Sequence, residues 1–414
     1  MEKEEKLQQL LKEYDAYKAL GLKLNMARGK PCKEQLDLSM PMMDVLHSGV
    51  NLVCEDGTDC RNYGVLGGID ECKRLLGDII EVPSYNIIIF GNSSLNAMYD
   101  CIARSYTHGV LGCEPFSKQG KLKWLCPVPG YDRHFAITEY FGMEMINIPM
   151  TPTGPDMDMV EEYVKDPTVK GIWCVPKYSN PDGITYSNET VKRFAKLKPT
   201  AKDFRIYWDN AYSVHHLYED KQDFLLEIID ECKKAGNPDI VYKFTSTSKI
   251  SFPGSGIAAL AASDANVKDI KAQMSIQTIG YDKVNQLRHV LFFKNLEGVK
   301  AQMRKHAAIL RPKFEMVEKI LGEEIKGIAK WNNPHGGYFI SLYVQGCAKE
   351  VIARCKECGV ELTPAGSTYP YHKDPYNSNI RIAPSYPSLD ELEKATRILC
   401  LSVKIETLKK ELAK

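Results

Sequence analysis

Lys249 closes the hydroxyl-rich run Ser246-Thr247-Ser248-Lys249, and two motifs precede it in order, Asn180-Pro181-Asp182-Gly183 and Asp209-Asn210-Ala211-Tyr212. A lysine amine condenses with an aldehyde to form a Schiff base. A carboxylate beside a pyridine nitrogen keeps that nitrogen protonated, so the ring accepts electrons. An amide and a phenol both have donors that can face the ring's phenolic oxygen. Pyridoxal 5'-phosphate needs all three kinds of group, and here they are Lys249, Asp209, and the pair Asn180 and Tyr212. Lys249, Asp209 and Tyr212 are therefore the candidate catalytic residues. Once an amino acid takes its place on the aldehyde carbon, the freed Lys249 amine is the natural base for a proton shift at the substrate α-carbon.

Other segments match the rest of such a cofactor. Gly91-Asn92-Ser93-Ser94-Leu95-Asn96-Ala97 follows an apolar run and opens a helix. Its backbone N–H groups as far as Leu95, with the Ser93 and Ser94 hydroxyls, form an anion cradle for the phosphate, although a plain helix cap has the same composition. Ser246 and Ser248 are further phosphate contacts. Tyr131, in Pro129-Gly130-Tyr131, lays an aromatic face over the pyridine ring, unless it is an ordinary core tyrosine. Arg381 is a charge between apolar strand residues in Asn379-Ile380-Arg381-Ile382-Ala383. Either a bidentate grip on a substrate carboxylate or an internal salt bridge accounts for it. Taken singly, Asn-Pro-Asp-Gly is a tight turn and Asp209 a strand-end cap; their order along the chain gives them weight.

The elements that must hold these residues are legible as periodicity. Near-continuous apolar runs at 85–91, 123–128, 143–150, 171–176, 204–209, 239–245 and 256–263 suit strands covered on both faces. They predict an α/β fold with a mostly parallel seven-stranded sheet between helices. Asp209 ends its strand at the carboxyl edge, where open α/β sheets bind ligands. After about Asp282 the pattern is helical through Leu321. Strands at 338–344 and 379–383 then flank a helix near 348–358, and a last helix starts at Leu389, giving a smaller α+β unit. A helix over 2–19 ends at Gly21. The expected division is residues 1–50 as an N-terminal segment packing with the smaller unit, 51–290 as the large cofactor-binding domain, and 291–414 as the small C-terminal domain.

Composition narrows the partners. The 414-residue chain is 44% apolar, carries 54 basic and 53 acidic residues, and has a formal charge of +1. That mixture leaves no electrostatic footprint for nucleic acid or an anionic membrane, and no run reaches the roughly 18 consecutive apolar residues of a membrane span. Thirteen scattered cysteines and a polar start, Met1-Glu2-Lys3-Glu4-Glu5, point to reduced thiols in a cytoplasm. Cys355-Lys356-Glu357-Cys358 has knuckle spacing but no second pair, so ordinary thiols and no metal are expected.

With these residues in place, the chain resembles the fold-type I pyridoxal phosphate aminotransferases, in particular a divergent aspartate aminotransferase-like branch of class I. The resemblance extends through Ala27-Arg28-Gly29-Lys30-Pro31, Asn62-Tyr63-Gly64 with Gly67-Gly68, and every motif above. It implies Lys249 as the Schiff-base lysine, Asp209 at the pyridine nitrogen, Asn180 and Tyr212 at the phenolic oxygen, and Tyr131 stacked on the ring. It further implies Ser93, Ser94 and Ser246 near the phosphate and Arg381 on the substrate α-carboxylate, beside which Leu95 and Ser248 are cofactor-binding candidates and Asn180, Gly29 and Arg28 substrate-binding candidates. A homodimer with shared active sites is implied too, with Tyr63 reaching the other subunit's phosphate. The chain departs from the family pattern at Ile257, where the family carries a phosphate-neutralising arginine. Lys283 and Arg288 are candidates for that charge, within the subunit or across the dimer, and with Arg28 also for a substrate's distal carboxylate.

The implied activity is transfer of an amino group from aspartate, or a similar amino acid, to 2-oxoglutarate by a ping-pong mechanism. A β-lyase or decarboxylase on the same fold is the alternative. A nicotinamide oxidoreductase is more remote: Gly254-Ser255-Gly256-Ile257-Ala258-Ala259 has dinucleotide-like spacing but leads into a strand-like run rather than a helix.

Overall fold

The apolar runs are continuous because each strand feeds two cores. The computed structural model describes residues 2–413. Its main sheet contains β1 (Ile87–Phe90), β2 (Lys123–Val128), β3 (Glu144–Thr151), β4 (Gly154–Pro155), β5 (Val169–Cys174), β6 (Arg205–Asp209), β7 (Val241–Ser246) and β8 (Ala258–Ala261). Side chains alternate across a strand. Ile87, Ile89, Ile172, Ile206 and Trp208 accordingly join one buried cluster, while Ile88, Phe90, Trp173 and Tyr207 join the cluster on the opposite face. Helix α2 (Ser94–His108) covers the second face through Met98, Cys101 and Ile102.

The strand order is β1-β8-β7-β6-β5-β2-β3-β4. The pairings β2 with β3, β2 with β5, β5 with β6 and β6 with β7 are parallel, whereas β8 runs antiparallel to both β1 and β7. The sheet thus has eight strands rather than the expected seven. The additional one is the two-residue return Gly154–Pro155, too short to leave a period in the sequence.

Pro253–Ser255 forms a single 3-10 turn, and the chain runs on extended through Gly256 into β8, without the helix that a dinucleotide site requires. This removes the oxidoreductase alternative.

A second core gathers the N-terminal residues Tyr14, Leu24 and Met26 with Ile340, Leu342, Ile380, Ile382, Ile398 and Leu399. Helix α1 (Glu2–Ala19) lies against the last helix, and the Tyr14 hydroxyl donates to Arg354 O at 2.9 Å. Leu24–Asn25 pairs in parallel with Val360–Glu361. A three-stranded antiparallel sheet, β9 (Lys330–Trp331), β10 (Ile340–Tyr343) and β11 (Asn379–Ile382), presents Arg381.

The helical stretch expected after Asp282 is two helices, α4 (Lys283–Phe293) and α5 (Leu296–Glu324). Lys294 adopts a left-handed backbone, φ 65°, and the Asn295 side chain accepts from Gly298 N at 3.1 Å, which ends one helix and caps the next. Helix α5 ties the cores together, with Val299 and Met303 in the first and Leu310 to Leu321 in the second. Val175, Tyr178 and Tyr212, on loops leaving the large sheet, also belong to the second core. The carboxyl ends of β5 and β6 are thereby pinned against the smaller sheet, and the cavity lies at that junction.

Candidate active site

A cavity of about 540 Å³ opens at the carboxyl edge of the main sheet. Asp209, Tyr212, Asn180, Lys249 and Arg381 all line it, although they come from separate loops and from both cores. Ser93, Ser94, Leu95, Tyr131, Ser246, Ser248, Gly29 and Arg28 complete most of the wall.

Asp209 ends β6 and is 4% exposed. Its Oδ2 accepts from His134 Nε2 at 3.0 Å, so that ring nitrogen carries the proton, while Oδ1 is buried without a partner among the described residues. A buried carboxylate oxygen left unsatisfied is costly, and an N–H donor entering the cavity would satisfy it. The protonated pyridine nitrogen of pyridoxal phosphate is such a donor, and on this observation the residues fit the cofactor. His134 is held by stacking on Trp173, with ring centroids 4.5 Å apart and planes 14° from parallel. Tyr131 meets His134 edge-on at 4.9 Å. Burial pushes the Tyr131 phenol up to about 12, against the pull of the Lys249 ammonium. Burial, reinforced by the Asp209 charge, also raises the Tyr212 phenol, so at neutral pH both hydroxyls keep their protons as donors.

Lys249 follows β7, and its Nζ lies over the Tyr212 ring at 5.0 Å and 5.8 Å from the Tyr338 ring. At the mouth of α2, Ser93 is the N-cap, its hydroxyl accepting from Leu95 N at 3.2 Å. Ser246 Oγ donates to Ser248 Oγ at 3.0 Å, and Ser248 Oγ to Asn92 O at 3.4 Å. Hydroxyls and a helix N-terminus thus converge as an anion seat.

Arg381, 6% exposed, reaches the cavity from β11. It forms an ion pair with Asp132 at 3.0 Å and lies over the Phe339 ring at 4.9 Å. Gly29 is required by the same ring: a Cβ there would lie 2.6 Å from Phe339 Cζ.

Not every residue expected at the site is there. Lys283 and Arg288 do not line the cavity. Lys283 Nζ donates to Gly64 O at 3.0 Å, and Arg288 donates to Ser255 O at 3.0 Å and to Asn285 Oδ1 at 2.5 Å. Within this chain both meet backbone carbonyls, Arg288 in the loop that follows Lys249 and Lys283 at Gly64, next to Tyr63. Tyr63 is 83% exposed and shares a separate depression with Gly64, Tyr281 and Lys283. Asp132, Arg133, His134 and Lys30 were not singled out from sequence. His134 had a signal, since it stands three residues after Tyr131 on the opening turn of α3 (Asp132–Tyr140). Cys355 and Cys358 are buried, and among the described residues no cluster of three or more His, Cys, Asp or Glu could hold a metal.

The turn bearing Asn180 contains a second buried acid. Asp182 accepts from the Tyr343 hydroxyl, and burial raises its carboxyl from 3.8 to about 6, opposed by hydrogen bonds from Tyr343 and Ser341. A carboxyl raised in the folded state stabilises fully below its unfolded pKa, and that contribution is lost as pH rises through the folded value. Asp182→Asn, which keeps an acceptor for Tyr343, should therefore stabilise the protein at pH 8 by up to about 3 kcal/mol. In thermal melts the gain should shrink as pH is lowered from about 6 to 4; a loss of Tm at pH 8 would contradict this.

The sheet topology, with the lysine, acid and anion seat along one edge, matches that of the fold-type I transaminases. The chain belongs to the aspartate amino-transferase family, whose model matches residues 2–414. It is 47% identical over 388 residues to an aspartate aminotransferase of Corynebacterium glutamicum, an alignment covering 93% of this chain and 89% of the relative. A crystal structure of an aspartate transaminase from C. glutamicum superposes with a TM-score of 0.96 at 44% identity, covering 99% of this chain and 97% of that one. An α-aminoadipate aminotransferase from Thermus thermophilus, complexed with N-(5'-phosphopyridoxyl)-L-leucine, shares the fold at a TM-score of 0.72 and 18% identity, covering 94% of this chain and 93% of that one.

Proposed function

We propose that the protein moves the amino group of aspartate, or a similar acidic amino acid, to 2-oxoglutarate in two half-reactions, with pyridoxal 5'-phosphate as cofactor. The observation that carries this reading is the unpartnered, buried Asp209 Oδ1 in a cavity also lined by Lys249. The C. glutamicum relative's name supports aspartate as donor, and the phosphopyridoxyl ligand of the T. thermophilus enzyme supports the cofactor.

Bound pyridoxal phosphate supplies an electron-accepting ring that stabilises negative charge at the substrate α-carbon. Asp209 holds a proton at the pyridine nitrogen, and His134 fixes the carboxylate through its other oxygen. Tyr131 covers the ring, while Asn180 and the protonated Tyr212 donate to its phenolic oxygen. Ser93, Ser94, the Leu95 N–H, Ser246 and Ser248 hold the phosphate. Lys249 is the covalent anchor and then the base that moves a proton at the α-carbon. Arg381 binds the α-carboxylate. Arg28, Lys30 and Arg133 on the cavity wall supply positive charge for a second carboxylate.

The exposed Tyr63, which lines a depression separate from its own chain's cavity, fits contribution to a neighbouring subunit's phosphate, and hence a homodimer. Thirteen free cysteines fit a reducing cytoplasm, and among the described residues no helix is long and apolar enough to cross a membrane.

Incubating the holoenzyme with aspartate and no oxo acid should release about one oxaloacetate per site, with the amino group retained by the enzyme. Release of ammonia or carbon dioxide instead would transfer the chain to the lyase or decarboxylase reading. Arg381→Ala should lower kcat/KM for both the amino acid and the oxo acid by roughly 10²-fold or more, since two charge-assisted hydrogen bonds are lost. Equal kcat/KM for mutant and wild type in steady-state assays would remove Arg381 from substrate binding.

A further inference from the structure

The donors of Arg381 are already engaged on the side from which a carboxylate must be gripped. Nε donates to Thr363 Oγ1 at 3.2 Å, and Nη1 donates both to Asp132 Oδ1 at 3.0 Å and to Asn180 Oδ1 at 3.1 Å. Among the described residues Nη2 has no acceptor. A fork-to-fork grip takes one N–H from each of two nitrogens, so Nη2 must act together with either Nε or Nη1. Both hydrogens of Nη1 and the single hydrogen of Nε are taken. One of the three present acceptors has to give way.

The three differ in how firmly they are held. Thr363 is buried, and its own hydroxyl donates to Ala27 O at 2.6 Å, which fixes the oxygen toward Nε. Asn180 is buried in a turn closed by the Gly183 N to Ser179 O hydrogen bond of 2.6 Å. Asp132 starts helix α3, lines the cavity, and has a 28% exposed side chain with, among the described residues, no second hydrogen bond to hold it. It is also chemically the group that a substrate brings, a carboxylate.

We propose that Asp132 is an internal competitor for the Arg381 guanidinium, displaced by the substrate's α-carboxylate, and that it sets how tightly carboxylic substrates bind. The proposal rests on the reading of Arg381 as the α-carboxylate clamp. It makes Asp132 a positioning residue that acts through Arg381, where a purely structural role would predict weaker binding on its removal.

Succinate, which carries two carboxylates and neither an amino nor an oxo group, is a suitable probe for calorimetric titration of the holoenzyme. Asp132→Asn keeps the size and an acceptor oxygen but removes the charge, and should tighten the succinate Kd by about tenfold. The KM for aspartate should fall in the same direction and by more than any change in kcat. Asp132→Ala should likewise tighten binding, and Asp132→Glu, restoring a competing charge, should return Kd toward the wild-type value. Unchanged or weaker succinate binding in Asp132→Asn and Asp132→Ala, with Arg381→Ala abolishing it, would overturn the competitor role while leaving the clamp intact. If Arg381→Ala left the wild-type Kd untouched, the clamp reading would fall and this proposal with it.

Discussion

Lys249→Ala should lower kcat by about four orders of magnitude or more, because covalent anchor and proton-transfer base are lost in one substitution. The fold should be almost indifferent. The side chain is half-buried and makes cation–π contacts with Tyr212 and Tyr338 but, among the described residues, no ion pair, so Tm should move by only a few degrees. Steady-state rates and a thermal melt on the same preparation check both halves of the expectation. A folded Lys249→Ala protein with more than about a hundredth of wild-type turnover would exclude the proposed role.

Asp209→Asn is the second large effect, with an expected loss of about 10²- to 10³-fold in kcat, comparable to removing one preorganised electrostatic contact from an active site. The hydrogen-bond arrangement explains why an isostere should fail. His134 Nε2 donates to Oδ2, so an asparagine in the same pose keeps its oxygen toward His134 and turns its amide N–H groups to the cavity. A donor then faces the ring nitrogen where an anion stood, and the nitrogen loses its stabilised proton. Stability should not fall, because a buried carboxylate with one partner among the described residues is replaced by a neutral group. Near wild-type kcat in Asp209→Asn would argue against any demand for a protonated ring.

The large sheet was legible because its strands carry apolar residues to two cores at once. A run such as Ile87 to Phe90 has no polar face to blur its limits. The same feature marked Asp209, the last residue of its strand, and Lys249, three residues past the end of β7, where apolar runs give way to polar turns. Two-residue strands such as Gly154–Pro155 and Lys330–Trp331 have no period to read. The break at Lys294 rests on one left-handed residue inside an otherwise helical pattern. Arg381 had two readings in the sequence, a grip on a substrate carboxylate and an internal salt bridge, and the structure contains the salt bridge. It lines the cavity and is also paired with Asp132, a residue nearly two hundred and fifty positions away whose role no local pattern announces. Lys283 and Arg288 show what a local pattern leaves out: a cation near a glycine-rich loop looks like an anion ligand, and within this chain both meet backbone carbonyls.

Reductive trapping tests the central claim most directly. Borohydride treatment of the purified holoenzyme, followed by tryptic digestion and mass spectrometry, should find a phosphopyridoxyl group on the peptide containing Lys249 and on no other. An adduct confined to a different lysine, or a fully reduced sample in which the Lys249 peptide carries none, would contradict the assignment of this cavity as a pyridoxal phosphate site.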